Sequence, residues 1–202
     1  MTLWRGNGPL VLASQSKARQ TLLTNAGIRF DSEPAEIDER AIQAGSGLSA
    51  PGDIAGLLAR EKARFVSARR QGHYVIGADQ TLALGMRIFN KPASRAQAAD
   101  QLRALAGHVH ELYAAVAVVR DGKILFEDVA IARMTMRRLG DGEIETYLNE
   151  AGAAVTSSVG AYQIEGLGVH LFDRIEGDHF TILGLPLLPL FAFLRSQHLL
   201  GV

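Results

Sequence analysis

The chain has 202 residues and 21.7 kDa, 48% of it apolar, enough for one domain with a sizeable core. Its 21 Lys and Arg balance 21 Asp and Glu, which argues against a strongly basic nucleic-acid binder. It has no cysteine, so disulfides, thiolate metal sites and thiol nucleophiles are excluded, in keeping with a cytoplasmic protein. No apolar run reaches the roughly 18–20 residues of a membrane span, and residues 1–12 lack the apolar stretch of a secretory signal.

The first element reads as a short buried strand over Pro9 to Ala13, followed by Ser14-Gln15-Ser16 and a helix through Ala26 that Gly27 stops. Ile28 to Phe30 reads as a second strand, and residues 41–53, small, polar and glycine-bearing, as a mobile loop. Pro51 suits the first turn of a helix reaching about Arg70. Val75 to Ala78 has strand character, and Thr81 to Leu84 with Met86 to Phe89 predicts a hairpin turning at Gly85. Ser94 is an N-cap for a helix ending at Gly107. Val109 to Val119 and Lys123 to Met136 form a hairpin about Asp121-Gly122. Gly140 to Glu150 reads as a helix, and Val169 to Ile175 pairs with Phe180 to Leu183 across Glu176-Gly177-Asp178. Ile182 begins a buried strand end that leads into a last helix over Pro186 to Arg195. Strands and helices mix without strict alternation, which predicts an α/β fold with a mixed sheet.

Four places set polar residues against this pattern. Ser14 to Arg19 joins a buried strand to a helix start, where unpaired N–H groups and the dipole attract anions; taken alone, Ser16 reads first as an N-cap whose neighbouring cations face water. In the helix after Pro51, Ile54, Leu57, Leu58 and Phe65 mark an apolar stripe, with Glu61 near its centre and Lys62 at its edge. Such charges border a polar cavity or form an internal ion pair. Asp79 ends the run Val75-Ile76-Gly77-Ala78, at the strand end where open α/β sheets place ligands; it suits a metal ligand, a general base or a turn aspartate. Lys91, held extended by Pro92, could return to Asp79 and hold a phosphate, or remain a surface lysine. Residues 160–168 bracket Tyr162 and Glu165 with three glycines. The six histidines show no metal-ligand spacing.

Seven segments in order, LASQSKARQTLL (12–23), EIDE (36–39), AREKA (59–63), VIGADQ (75–80), NKP (90–92), GAYQIEG (160–166) and ILGLPL (182–187), resemble the Maf family of nucleoside triphosphate pyrophosphatases. The resemblance covers about Leu10 to Arg195 and implies a single domain of two lobes, an elongated mixed sheet with flanking helices around a deep cleft. It implies hydrolysis between the α and β phosphates, giving a nucleoside monophosphate and pyrophosphate, with Mg²⁺ or Mn²⁺. It assigns Asp79 as the catalytic carboxylate that acts as base toward water. Glu36 with Asp79 becomes the metal site, Ser14, Ser16, Arg19, Lys62 and Lys91 the phosphate cradle, and Glu165 the group that reads the nucleotide. The first motif usually reads S-x-S-P-x-R-R; here Lys17 replaces Pro, and Gln20 the last Arg. Gln80 and Glu165 are similar to the YceF-like branch, linked to 7-methyl-GTP, which usually carries Trp where this chain has Ala18. The resemblance also allows a homodimer and, as an alternative to catalysis, a nucleotide-binding regulator of septum formation.

Overall fold

A computed structural model describes residues 3–201. The chain divides into two compact units, one of residues up to Gln80, Tyr113–Ala130 and from Asp178 on, the other of Thr81–Leu112 and Ile131–Gly177. Among the described residues there are seven strands, in parallel and antiparallel pairs, with helices against them, which makes the class mixed α/β.

In the first unit β1 (Leu10–Leu12) lies parallel to β2 (Phe30–Ser32) on one side and to β3 (Val75–Leu84) on the other, in the register Val11↔Val75 and Leu12↔Ile76. Beyond β3 come the unit's parts of β5 (Val109–Arg120) and β6 (Lys123–Met136). β1 is apolar at every position because both faces of this sheet are covered. Leu10, Leu12, Ile76 and Val118 pack with Leu23 of α1 (Lys17–Asn25) and with Leu190 and Leu194 of α7 (Leu187–Ser196). The opposite face, with Val11, Val75 and Ala117, meets α3 (Pro51–Ser67). Here the contact is made of small groups. Ala55, Ala59 and Ala63 recur every four residues along α3, and a Cβ on Gly77 would strike the carbonyl oxygen of Ala59 and lie 2.7 Å from the Ala63 amide nitrogen. Helix and strand therefore approach backbone to backbone.

In the second unit β3 turns at Gly85, φ +59°, into antiparallel β4 (Arg87–Phe89). Helices α4 (Arg95–Leu105) and α5 (Asp141–Ala151) bury Leu102, Leu105, Ile144 and Leu148, and β7 (Phe172–Glu176) pairs antiparallel with β6.

The second strand begins at Phe30, two residues later than its apolar start predicts. Gly27 is left-handed, φ +71°, and the Ile28 amide donates to the Leu23 carbonyl, so the buried Ile28 belongs to the helix cap. Of residues 41–53, expected as a loop, only 47–50 are one, lying between two helices. Asp38 accepts from the Ala41 amide and opens α2 (Glu39–Ser46), which Gly47 closes at φ +68°; α2 buries no residue, and Ile42, half-buried, is its one large apolar side chain. β3 runs unbroken to Leu84 where two short strands are expected. The strand pairing predicted across residues 176–178 is absent: β7 takes β6 as partner. His179–Ile182, the supposed strand partner and strand end, is helix α6, capped by Asp178 on the amides of Phe180 and Thr181. An aspartate opening a helix and one opening a turn look alike in sequence.

Candidate active site

The candidate site in the first unit is built where β1 stops. The amide of Ala13 still donates to the Ile76 carbonyl at 2.8 Å, and the chain then departs through Ser14 to α1. β3 continues past its lost neighbour, so Asp79 stands in mid-strand, at the open carboxyl edge of the β1–β3 pair. Parallel sheets bind ligands at this kind of edge.

Ser16 caps α1, its Oγ accepting from the Arg19 amide at 3.4 Å. Ser14 is buried and its Oγ accepts from the Ser16 amide at 3.2 Å and from Arg19 Nη1 at 3.3 Å. Arg19 is anchored mainly on main chain: Nε donates to the Gly184 carbonyl at 2.8 Å and Nη1 to the Ala78 carbonyl at 2.9 Å. Burial lowers the Arg19 pKa, against the pull of Asp79 and Glu39, and a guanidinium remains charged at neutral pH all the same. Its Nη2 has no protein partner among the described residues.

Lys62 and Asp79 are both buried, 9% and 8% exposed, and Nζ meets Oδ1 at 2.6 Å. Glu39 Oε1 reaches the same ammonium at 2.9 Å. Lys62, expected at the edge of the α3 stripe, lies within it. Glu61, expected at the centre, is part-exposed and pairs with Arg64 at 3.3 Å. The large apolar residues mislead here, because the alanine row faces the sheet and shifts the buried face toward Lys62.

Gln80 is anchored like Arg19. Its Nε2 donates to the carbonyls of Thr181 and Ile182, each at 3.0 Å. Gln20 bonds the Ser32 hydroxyl at 3.0 Å and the Ser14 carbonyl at 3.4 Å, so it braces the turn after β1. Lys17 is exposed and has no ion pair among the described residues.

Of the expected site residues, Ser14, Ser16, Arg19, Lys62 and Asp79 come together. Glu36 is exposed, and Glu39, three residues on, is the carboxylate that reaches Lys62. Sequence reasoning passed over Glu39, which as an exposed glutamate in a polar stretch carries no mark of its own. Lys91 and Glu165 belong to the second unit, both exposed, Lys91 after β4 and Glu165 at the tip of the 163–166 turn.

A hard divalent cation fits the chemistry of these donors. Asp79 and Glu39 converge on one ammonium and could offer their oxygens to an ion. No group of three or more His, Asp or Glu side chains converges among the described residues. The protein would thus supply one or two carboxylates, the number Mg²⁺ commonly takes beside substrate phosphates and water.

Residues 9–197 match the family model described as Maf-like protein. The chain belongs to the Maf family. Among its relatives, a Rhodopseudomonas palustris protein named nucleoside triphosphate pyrophosphatase is 72% identical, the match covering 100% of both chains. A Bradyrhizobium diazoefficiens protein of the same name is 68% identical over 100% of both. A Rhizobium etli protein named 7-methyl-GTP pyrophosphatase is 52% identical over 93% of this Maf chain and 95% of its own. No helix among the described residues is long and apolar enough to cross a membrane.

Proposed function

We propose that this Maf protein is a nucleoside triphosphate pyrophosphatase. The reading rests on one observation: a buried carboxylate, Asp79, held at 2.6 Å by the buried Lys62, at a sheet edge where Arg19 and the N-terminus of α1 present donors. In the reaction, water attacks the α phosphorus, the bond from that phosphorus to the bridging oxygen breaks, and pyrophosphate leaves with its electron pair. Asp79 accepts the proton that water loses, a role typically worth about 10²- to 10⁴-fold. Lys62 fixes the orientation of Asp79 and carries positive charge to the phosphate oxygens. Arg19 Nη2 and the first amides of α1 bind further oxygens. A divalent ion on Asp79, with Glu39 or Glu36, would neutralise triphosphate charge and favour departure of the pyrophosphate. Lys91 is proposed for the phosphates and Glu165 for the base. The Rhizobium relative's name, with Gln80 and Glu165, favours modified purine nucleotides such as 7-methyl-GTP.

The test is a panel of ordinary and modified nucleoside triphosphates with Mg²⁺ or Mn²⁺, scoring pyrophosphate separately from orthophosphate. We expect pyrophosphate alone, and Asp79→Asn to fold normally with turnover reduced at least 100-fold. An Asp79→Asn variant at wild-type rate would remove Asp79 from its role. Saturable binding with no pyrophosphate formed would favour the regulator of septum formation. Cytoplasmic location and the homodimer are part of the same proposal, checked by fractionation and by mass in solution.

A further inference from the structure

Two side chains beside Asp79 in the first unit end on the same turn. Arg19 Nε reaches the Gly184 carbonyl, and Gln80 Nε2 the carbonyls of Thr181 and Ile182. These acceptors close α6, a helix of four residues. Its two i→i−4 bonds run from the Ile182 amide to Asp178 and from the Leu183 amide to His179, each at 3.2 Å. Opening a helix is the costly step, and one this short recovers little of the cost from its own bonds. Its last carbonyls are left for other donors, and Gln80 and Arg19 take them. Two further restraints hold the turn. Phe180, Leu183 and Leu185 pack it against the core, and the Gly184 and Leu185 amides donate back to the Thr181 and Phe180 carbonyls, both at 3.1 Å.

One carboxylate completes the restraint. Asp178 Oδ1 accepts from the amides of Phe180 and Thr181 at 2.9 and 3.1 Å, and Oδ2 accepts from the Thr181 hydroxyl. Thr181 is wholly buried, and a buried hydroxyl needs a partner. Valine, of the same shape, would need none. The hydroxyl therefore serves to keep both oxygens of Asp178 on α6, and so fixes the turn that carries the Gly184 carbonyl. That carbonyl sets Arg19. A guanidinium is planar, so Nε on Gly184 at 2.8 Å and Nη1 on Ala78 at 2.9 Å, with Ser14 Oγ at 3.3 Å, decide where Nη2 points. Ala78 lies in buried β3 and Ser14 in the turn after β1; of the three acceptors, Gly184 is the one that depends on α6.

We propose that Asp178 and Thr181 are positioning residues for Arg19: their carboxylate–hydroxyl pair fixes the turn whose Gly184 carbonyl directs Nη2, the arm offered to the phosphates. The proposal rests on the pyrophosphatase reading with Arg19 as a phosphate contact. It deepens that reading by naming two residues that set triphosphate binding through the guanidinium rather than by touching the substrate.

The test uses the whole protein and two matched variants. Thr181→Val keeps the shape and removes the hydroxyl; Thr181→Ser keeps the hydroxyl and removes a methyl. Exchange of the Arg19 Nε–H with water, followed by NMR, is expected to rise about tenfold in Thr181→Val, the order of one hydrogen bond, and to stay near wild type in Thr181→Ser. In the pyrophosphate assay Thr181→Val is expected to raise KM for the triphosphate about tenfold, with kcat lowered less. Thr181→Ser is expected to keep KM while melting lower, since it loses a buried methyl, so stability and positioning separate. Arg19→Met is expected to raise KM at least as far as Thr181→Val. Unchanged Nε–H exchange in Thr181→Val overturns the fastening. Equal changes in Thr181→Val and Thr181→Ser assign the effect to packing and overturn it too. Raised exchange with unchanged KM, where Arg19→Met does raise KM, overturns the positioning. If Arg19→Met leaves KM intact, or no triphosphate yields pyrophosphate, the reading beneath the proposal has failed, and the positioning with it, but raised exchange keeps the fastening. Should Thr181→Val not fold, Asp178→Ser keeps a cap oxygen for the amides and loses the one on the hydroxyl, and is read the same way.

Discussion

Gly77→Ala tests whether the close approach of α3 and β3 sets the Lys62–Asp79 pair. The new Cβ would sit 2.9 Å from Ala63 Cβ and closer still to the Ala59 carbonyl oxygen. Neither obstacle can rotate away, since one is main chain and the other a methyl fixed to it. Ordinary contact needs at least 3.4 Å where the Ala59 oxygen would lie at 2.0 Å, so helix and strand must part by roughly 1.4 Å, an overpacking strain near the upper end of about 1–3 kcal/mol. For a chain of this size that is a fall in Tm of about 6–12 °C. Lys62 lies on α3 and Asp79 two residues beyond Gly77, so their 2.6 Å contact would stretch to about 4 Å, past hydrogen-bond range. Misplacement on this scale costs up to about 10²-fold in turnover. Thermal melting and pyrophosphate release measure the two effects. A Gly77→Ala protein that melts within about 2 °C of wild type and keeps its rate would show that the alanine row does not set the site's geometry.

Gly45→Ala is the matching control. Gly45 lies inside α2 with nothing within 4 Å of its added Cβ, so melting should hold or rise by the equivalent of about 0.5–1 kcal/mol. Lys62→Met leaves Asp79 buried beside Glu39 without its cation; a loss of about 3–5 kcal/mol is usual for breaking such a pair, and slight solvent access at 11% for both side chains places the expectation at its lower end, with turnover down at least 10²-fold, checked by denaturant melts and initial rates. For His110, burial lowers the pKa to about 4 from 6.5, so the folded state holds it neutral while the unfolded chain takes up a proton. Stability is then full above pH 6.5 and declines as pH falls toward 4, by about 3 kcal/mol for a shift of roughly 2.5 units. His110→Gln should flatten that part of the pH–stability curve.

Much of this was legible because apolar runs and caps say the same thing. β1, α1 with its Ser16 cap, the β5–β6 hairpin about Asp121-Gly122 and α7 all lie within a residue or two of where periodicity and turn chemistry put them. Helix α2 was hidden because it is short and set among glycines and small polar residues, with Ile42 its one large apolar side chain. The pairing of β7 with β6 was hidden because partner choice across forty residues leaves no local mark. At the site, Asp79 and Lys62 stood out as charges in apolar surroundings. Glu39 did not, since an exposed glutamate in a polar stretch is ordinary, and its meaning comes only from the ammonium it reaches. The anchoring of Arg19 and Gln80 was unreadable for a similar reason: their acceptors are carbonyl oxygens, which every residue possesses.

That choice of acceptor has a bearing on tolerance to mutation. Ala78, Thr181 and Ile182 can be exchanged for other side chains of suitable size without deleting a single oxygen that Arg19 or Gln80 holds. Gly184 is the exception, because its φ of +87° aims the oxygen that receives Arg19 Nε and discourages any side chain there. Randomising these four positions and selecting for turnover should therefore vary Ala78 and Ile182, hold Thr181 for the buried hydroxyl it gives Asp178, and return glycine at the fourth.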